Sequence, residues 1–239
     1  MKQRVNAKRI LVARLSGLIG LAAILVALAI LNDQMMRRPG APQRAHRHHH
    51  EHDSALAQAP GEADLTPEEK GRIISEYQDK LVVIETDLGT IKFQFYPEDA
   101  PRTVDNFANL ARKGFYDGSP FHRVVKGSLV QGGSPDGSPG GGPGYTIPAE
   151  FNKRMHVEGT VAMARAADPN SAGSQFYICL KQLPRLDGHY TVFGHVVEGM
   201  DVLRTLGQSQ TDASERPLDK IVMRNVSIES PPAATVSEQ

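Results

Sequence analysis

FHRVVKGSLVQGG, residues 121–133, decides the reading of this chain. It holds two short apolar runs, Phe121 to Val125 and Leu129 to Gln131, interrupted by Arg123 and ended by Gln131. Side chains alternate along a strand, so Phe121 and Arg123 share one face, as do Leu129 and Gln131. Similar runs follow at Thr160 to Ala164, Gln175 to Leu180, Thr191 to Val196 and Ile221 to Glu229, divided by Gly- and Pro-rich turns. Short strands at such spacing predict an all-β barrel or sandwich. Upstream, LVVIETD and TIKFQFY flank Leu88-Gly89 and read as a hairpin.

Two helices break this pattern. APRTVDNFANLARKGFY places Val104, Phe107, Ala108 and Ala111 at helical spacing, with Thr103 as the expected cap. VEGMDVLRTLGQ carries a stripe of Val202, Leu203 and Leu206. A further short helix is expected over 65–79, where Thr66, Pro67 and Glu69 form a capping box with proline at the first helical position.

Gln175 and Tyr177 repeat the pattern of a polar residue with an apolar neighbour two positions away. Three strands thus offer one fixed cation, amide groups and an apolar pocket. There is no Ser-His-Asp arrangement, no carboxylate pair, and no His/Cys cluster at metal spacing within the domain. No cofactor is implied. GGSPDGSPGGGPG runs into YTIPAEF without the lysine of a phosphate loop, and reads as a surface loop. Cys179, the lone cysteine, sits in the apolar FYICL and reads as a core residue.

The N-terminal third is different. Residues 1–38 carry seven Lys and Arg against Asp33, a surplus of six that the rest of the chain cancels. An acidic body argues against a nucleic-acid partner. Leu15 to Leu31 is uncharged, with Ser16 its only polar residue. Residues 1–31 are therefore expected to be a membrane anchor or a signal segment, with Ala27-Leu28-Ala29 as a cleavage site in the second case. Either places the domain across the membrane from the basic end. The expected location is the inner membrane, single-pass with a periplasmic domain, or the periplasm after cleavage. Residues 32–64, with HRHHHEH at 46–52, read as a disordered linker whose histidines could collect a transition metal. Residues 230–239 read as a flexible tail.

FHRVV…QGG, PGYTIPAEF, GTVAMARAADPNSAGSQFYI and LDGHYTVFGHVVEGMDVL, in this order over residues 80–229, resemble the cyclophilins of bacteria. The resemblance implies an eight-stranded antiparallel closed β-barrel capped by two helices, and peptidyl-prolyl cis-trans isomerase activity on proline-containing polypeptides. A monomer is expected. By position, Arg123 matches the family's catalytic arginine and Gln131 the glutamine that supports it. Phe121, Leu129, Met163, Tyr177 and Leu186 match the proline pocket. Ala164, Arg165, Ala166 and Gln175 match the rim along the substrate backbone, and Tyr190 stands where animal members often have histidine. Three departures stand out. Ser128 replaces a pocket phenylalanine, which weakens proline capture by about 1–3 kcal/mol. Tyr177 replaces a phenylalanine and brings a hydroxyl that needs a partner. Arg185 replaces the tryptophan of cyclosporin-sensitive members.

Overall fold

A computed structural model describes residues 64–230. The expected anchor, linker, His tract and C-terminal tail lie outside them, apart from Asp64 and Ser230. No helix among the described residues is long and apolar enough to cross a membrane.

The chain first forms helix α1, Pro67–Tyr77, opened by the expected capping box. Thr66 Oγ1 accepts from the Glu69 amide at 3.2 Å, and Glu69 Oε2 accepts from the Thr66 amide at 2.7 Å. Strands β1, Leu81–Thr86, and β2, Gly89–Phe95, form the expected hairpin. Helix α2, Pro101–Arg112, follows. Then come β3, Arg123–Val125; β4, Leu129–Gly132; β5, Thr160–Met163; β6, Phe176–Cys179; and β7, Val192–Glu198. Helix α3, Met200–Leu206, and β8, Met223–Glu229, complete the domain.

All strands pair antiparallel, in the order β3-β4-β6-β5-β7-β2-β1-β8. The closed barrel is corrected here: the sheet is an open half-barrel, with β3 and β8 at its edges. The free edge of β3 is covered otherwise, because the Val124 amide donates to the Glu215 carbonyl at 2.7 Å. The segments ahead of the two edge strands do meet. Pro120 bridges Val222, and the Phe121 amide reaches the Ile221 carbonyl at 2.9 Å.

The inner face is an aromatic core. Helix α2 inserts Phe107 among Phe93, Phe95, Tyr116, Phe176 and Phe193, with ring centroids 4.8–5.9 Å away. Thr103 is not the cap of this helix, contrary to expectation. Ala100 holds that position and offers no side-chain acceptor. The Glu150 carboxylate, from far along the chain, takes the Arg102 and Thr103 amides at 3.0 and 2.8 Å instead. A tertiary carboxylate thus satisfies orphan N–H groups that the local sequence leaves open.

Candidate active site

The outer face of the sheet carries the site, and strand register builds it. Arg123 pairs with Gln131, Gln131 with Tyr177, and Tyr177 with Ala162, so one row crosses four strands. Side chains in such a row share a face. Leu129, Tyr177, Cys179 and Val192 form a second, smaller apolar cluster on this face, joined by Val125, Ala164, Leu186 and Tyr190.

Above that cluster opens a hollow of about 670 Å³. Arg123, Leu129, Gln131, Ala164, Arg165, Tyr177, Leu186 and Tyr190 all line it, together with Val125, Arg185, His189 and Glu215. A neighbouring hollow of about 500 Å³ is lined in part by Gln131, Ala164, Arg165, Ala166 and Gln175, and by the glycine-rich loop 139–146. Phe121 and Met163 go elsewhere. Both are buried in the main aromatic core. The alternation expected from Phe121 to Arg123 fails because β3 begins only at Arg123, and the residues before it turn toward Ile221.

The polar side chains form a directed chain. Arg123 Nη1 donates to Gln131 Oε1 at 3.3 Å. Gln131 Nε2 donates to Gln175 Oε1 at 2.9 Å, and Gln175 Nε2 donates to the Pro139 and Gly141 carbonyls at 2.9 and 2.8 Å. Each amide is oriented by the next, so the chain has one sense. On its other side Arg123 meets Glu215, whose Oε2 accepts from Nε at 2.7 Å and lies 2.7 Å from Nη2. A guanidinium has five N–H donors. At least one on Nη1 and one on Nη2 remain for a ligand.

Glu215 escaped the sequence reading. It lies in the 207–220 loop, where no periodicity marks it. Its backbone φ of +63° makes it the one described non-glycine residue in the left-handed region, and that conformation has no sequence signature for glutamate.

The Tyr177 hydroxyl finds its partner below the floor. It lies 2.9 Å from His156 Nε2, while His156 Nδ1 lies 2.9 Å from Asp187 Oδ1. Asp187 also accepts from the His156 amide at 2.7 Å. These two hydrogen bonds, the backbone one foremost, hold the Asp187 carboxyl below its usual range. With the proton on Nδ1 facing the carboxylate, Nε2 is the acceptor for the phenol. Burial pushes the Tyr177 phenol well up, and the Cys179 thiol up to about 12. Neither ionises near neutral pH, so Tyr177 presents a neutral ring to the hollow, oriented by the hydrogen bond at its hydroxyl.

Residues 81–228 match the family of cyclophilin type peptidyl-prolyl cis-trans isomerases. The chain belongs to this family. A peptidyl-prolyl cis-trans isomerase of Synechococcus elongatus is 50% identical over 126 residues, spanning 52% of this chain and 86% of the relative. The isomerase CYP18-2 of Arabidopsis thaliana is 42% identical over 144 residues, spanning 59% and 88%. Among solved structures, a cyclophilin type isomerase of Cryptosporidium parvum, crystallised in the presence of the dipeptide Ala-Pro, superposes with a TM-score of 0.61. It is 34% identical and covers 63% of this chain and 99% of its own. The chain is a peptidyl-prolyl cis-trans isomerase, and its helix α1 precedes the matched segment.

Proposed function

We propose that Arg123 accelerates rotation about X-Pro bonds by donating a hydrogen bond to the prolyl nitrogen of the twisted amide, and that the substrates are exported polypeptides. Amide resonance sets a barrier of about 18–20 kcal/mol. Proline is the natural target because its cis and trans forms differ by only about 0.5–1 kcal/mol. Once the bond twists, the nitrogen regains a lone pair and becomes an acceptor. A guanidinium suits that acceptor, being permanently charged and planar.

The observation that carries this reading is the placement of Arg123. It lines the hollow, held by Gln131 and Glu215, with donors to spare over an apolar floor of Leu129, Tyr177 and Leu186. In this reading Gln131 fixes the guanidinium, the floor grips the proline ring, and Ala164–Ala166 with Gln175 flank the peptide backbone. A hydrogen bond to a charged donor contributes about 1.5–3 kcal/mol. A rate gain of four decades needs about 5–6 kcal/mol. Gripping the ring and excluding water supply the remainder.

The test is isomerisation of a proline tetrapeptide. Arg123→Ala loses about 10- to 150-fold in kcat/KM, with the rate of the unsubstituted protein flat from about pH 6 to 9 because no group changes protonation. An unchanged rate in Arg123→Ala, or a steep bell-shaped profile, overturns the assignment.

A second reading, a proline-binding module with weak turnover, draws on Ser128. This residue closes the turn between β3 and β4 and adds no side chain to the hollow. Peptide binding without any rate above background would favour it. The export component rests on the apolar run 15–31 and the basic residues before it. Mass spectrometry of the mature amino terminus and its membrane fraction tests it; an intact terminus in the soluble fraction would count against it.

A further inference from the structure

We infer that the hollow selects segments bearing a carboxylate side chain next to the proline; this deepens the isomerase reading and rests on it. Three guanidinium groups line the hollow, Arg123, Arg165 and Arg185, against the single carboxylate of Glu215. Glu215 is spent on Arg123. Among the described residues, neither Arg165 nor Arg185 has a carboxylate within ion-pairing distance. Away from the hollow, Arg72, Arg112, Arg154, Arg204 and Arg224 each sit on an acidic partner, while Arg216 donates to the Gly137 carbonyl.

The nearest acidic side chains in sequence are turned to other work. Asp187, one residue past Leu186, faces His156 beneath the floor. Asp168 accepts from the Asn170 amide. Neither carboxylate pairs directly with Arg165 or Arg185, so both guanidinium groups stay open to a carboxylate brought by the ligand.

Arg165 is a fixed charge. Nε and Nη2 donate to the His189 carbonyl at 3.1 and 3.0 Å, and Nη1 donates to the Ala166 and Ala167 carbonyls at 2.9 and 3.2 Å. Its guanidinium lies 4.8 Å from the Tyr190 ring centroid. Carbonyl dipoles satisfy donors without neutralising the cation. Arg165 lines both hollows, so a peptide running from one to the other passes it. Arg185 is an unanchored complement: it lies exposed on the one-turn 3₁₀ helix Pro184–Leu186, and among the described residues its side chain has no hydrogen-bond partner. Arg185 can engage a carboxylate with two parallel N–H groups, whereas Arg165, with four of its five donors on carbonyls, offers one N–H and its charge. A lysine beside the proline would instead meet two like charges.

The test compares kcat/KM of the full-length protein on matched peptides differing in one residue. Glu, Ala and Lys are placed before the proline in one series and after it in another. Two partly exposed pairings predict a Glu-over-Lys preference of about three- to tenfold at low salt in at least one series. The preference shrinks toward unity near about 0.5 M salt, where screening is strong. It falls in Arg185→Glu, which has no hydrogen bond to lose, and falls further when combined with Arg165→Gln. A ratio at or below unity in both series overturns the inference, as does a preference unmoved by the double substitution. Turnover of the Ala peptide judges the isomerase reading separately. If no peptide is turned over above background, the same Glu and Lys peptides, fluorescently labelled, still decide the charge preference by binding anisotropy.

Discussion

Strands β4 and β6 separate two environments by the thickness of one sheet. On the inner face Val130, Phe176 and Ile178 are fully buried among aromatic rings. On the outer face Leu129, Gln131 and Tyr177 face a hollow crossed by directed hydrogen bonds. The inner face works by non-directional burial, so its sensitivity scales with volume removed. The outer face works by geometry, so removing one acceptor can change the chemistry while leaving the fold intact. If the proposed site is the catalytic one, stability and rate are set on opposite sides of the same strands, and substitutions should sort accordingly.

The largest effect belongs to the inner face. Phe107 touches five other rings and is fully buried. Phe107→Ala should cost about 3–5 kcal/mol of unfolding free energy in a denaturant titration, with the rate per folded molecule nearly unchanged. A small stability loss coupled to a large rate loss would break the division.

Tyr177 sharpens it, because its ring faces the hollow while its hydroxyl serves the interior. Tyr177→Phe keeps the apolar floor but leaves His156 Nε2 buried without its partner, since His156 is wholly inaccessible. The expected loss is about 1–3 kcal/mol of stability, with KM for a proline peptide little altered. An unchanged unfolding midpoint would mean that this hydrogen bond contributes nothing.

Glu215 tests the outer face alone. On the mechanism proposed for Arg123, its side chain, freed from Glu215, would have to be re-immobilised at each turnover, at about 0.5–1.5 kcal/mol, or about two- to tenfold in rate. Glu215→Gly removes the carboxylate and also relieves the left-handed backbone at φ +63°. The rate should fall while stability holds or rises by about 0.5–1 kcal/mol. Parallel loss of both would make Glu215 a structural residue rather than a positioning one.

How far the sequence reached follows from the same division. Hairpin, strand runs and helix α1 were legible because they are local: alternation, turn residues and a capping box suffice. The row from Arg123 through Gln131 to Tyr177 was legible as three separate strand faces and as a family pattern, and register alone joined it. What stayed hidden was long-range. Glu150 caps α2 across 47 residues of chain, and Glu215 reaches Arg123 across 92. The open sheet was also hidden, since the run from Phe121 to Val125 looks continuous but turns inward before Arg123.

The smallest effect is a pH dependence of stability set by two histidines that folding shields from water. His122 is buried with Nδ1 lacking a partner, and burial pulls its pKa below the ordinary value. Burial lowers His195 likewise, helped by Arg154. For both, the unfolded chain takes up a proton near its unperturbed pKa of about 6.5 while the folded domain resists until lower pH. Their contribution is therefore fully present above about pH 6.5 and is lost as pH falls through the folded-state values. The lowered carboxylates, among them Asp136 at about 2 and Asp187, act further down, as pH falls from the ordinary Asp value of about 3.9 through their folded-state values. The unfolding temperature should be level from about pH 7.5 to 9 and decline toward about pH 5.5. Replacing both histidines by glutamine should flatten that decline, leaving the acid limb of the carboxylates in place. A level profile down to about pH 5.5 in the unsubstituted protein would show that these two imidazoles reach water more freely than their burial implies.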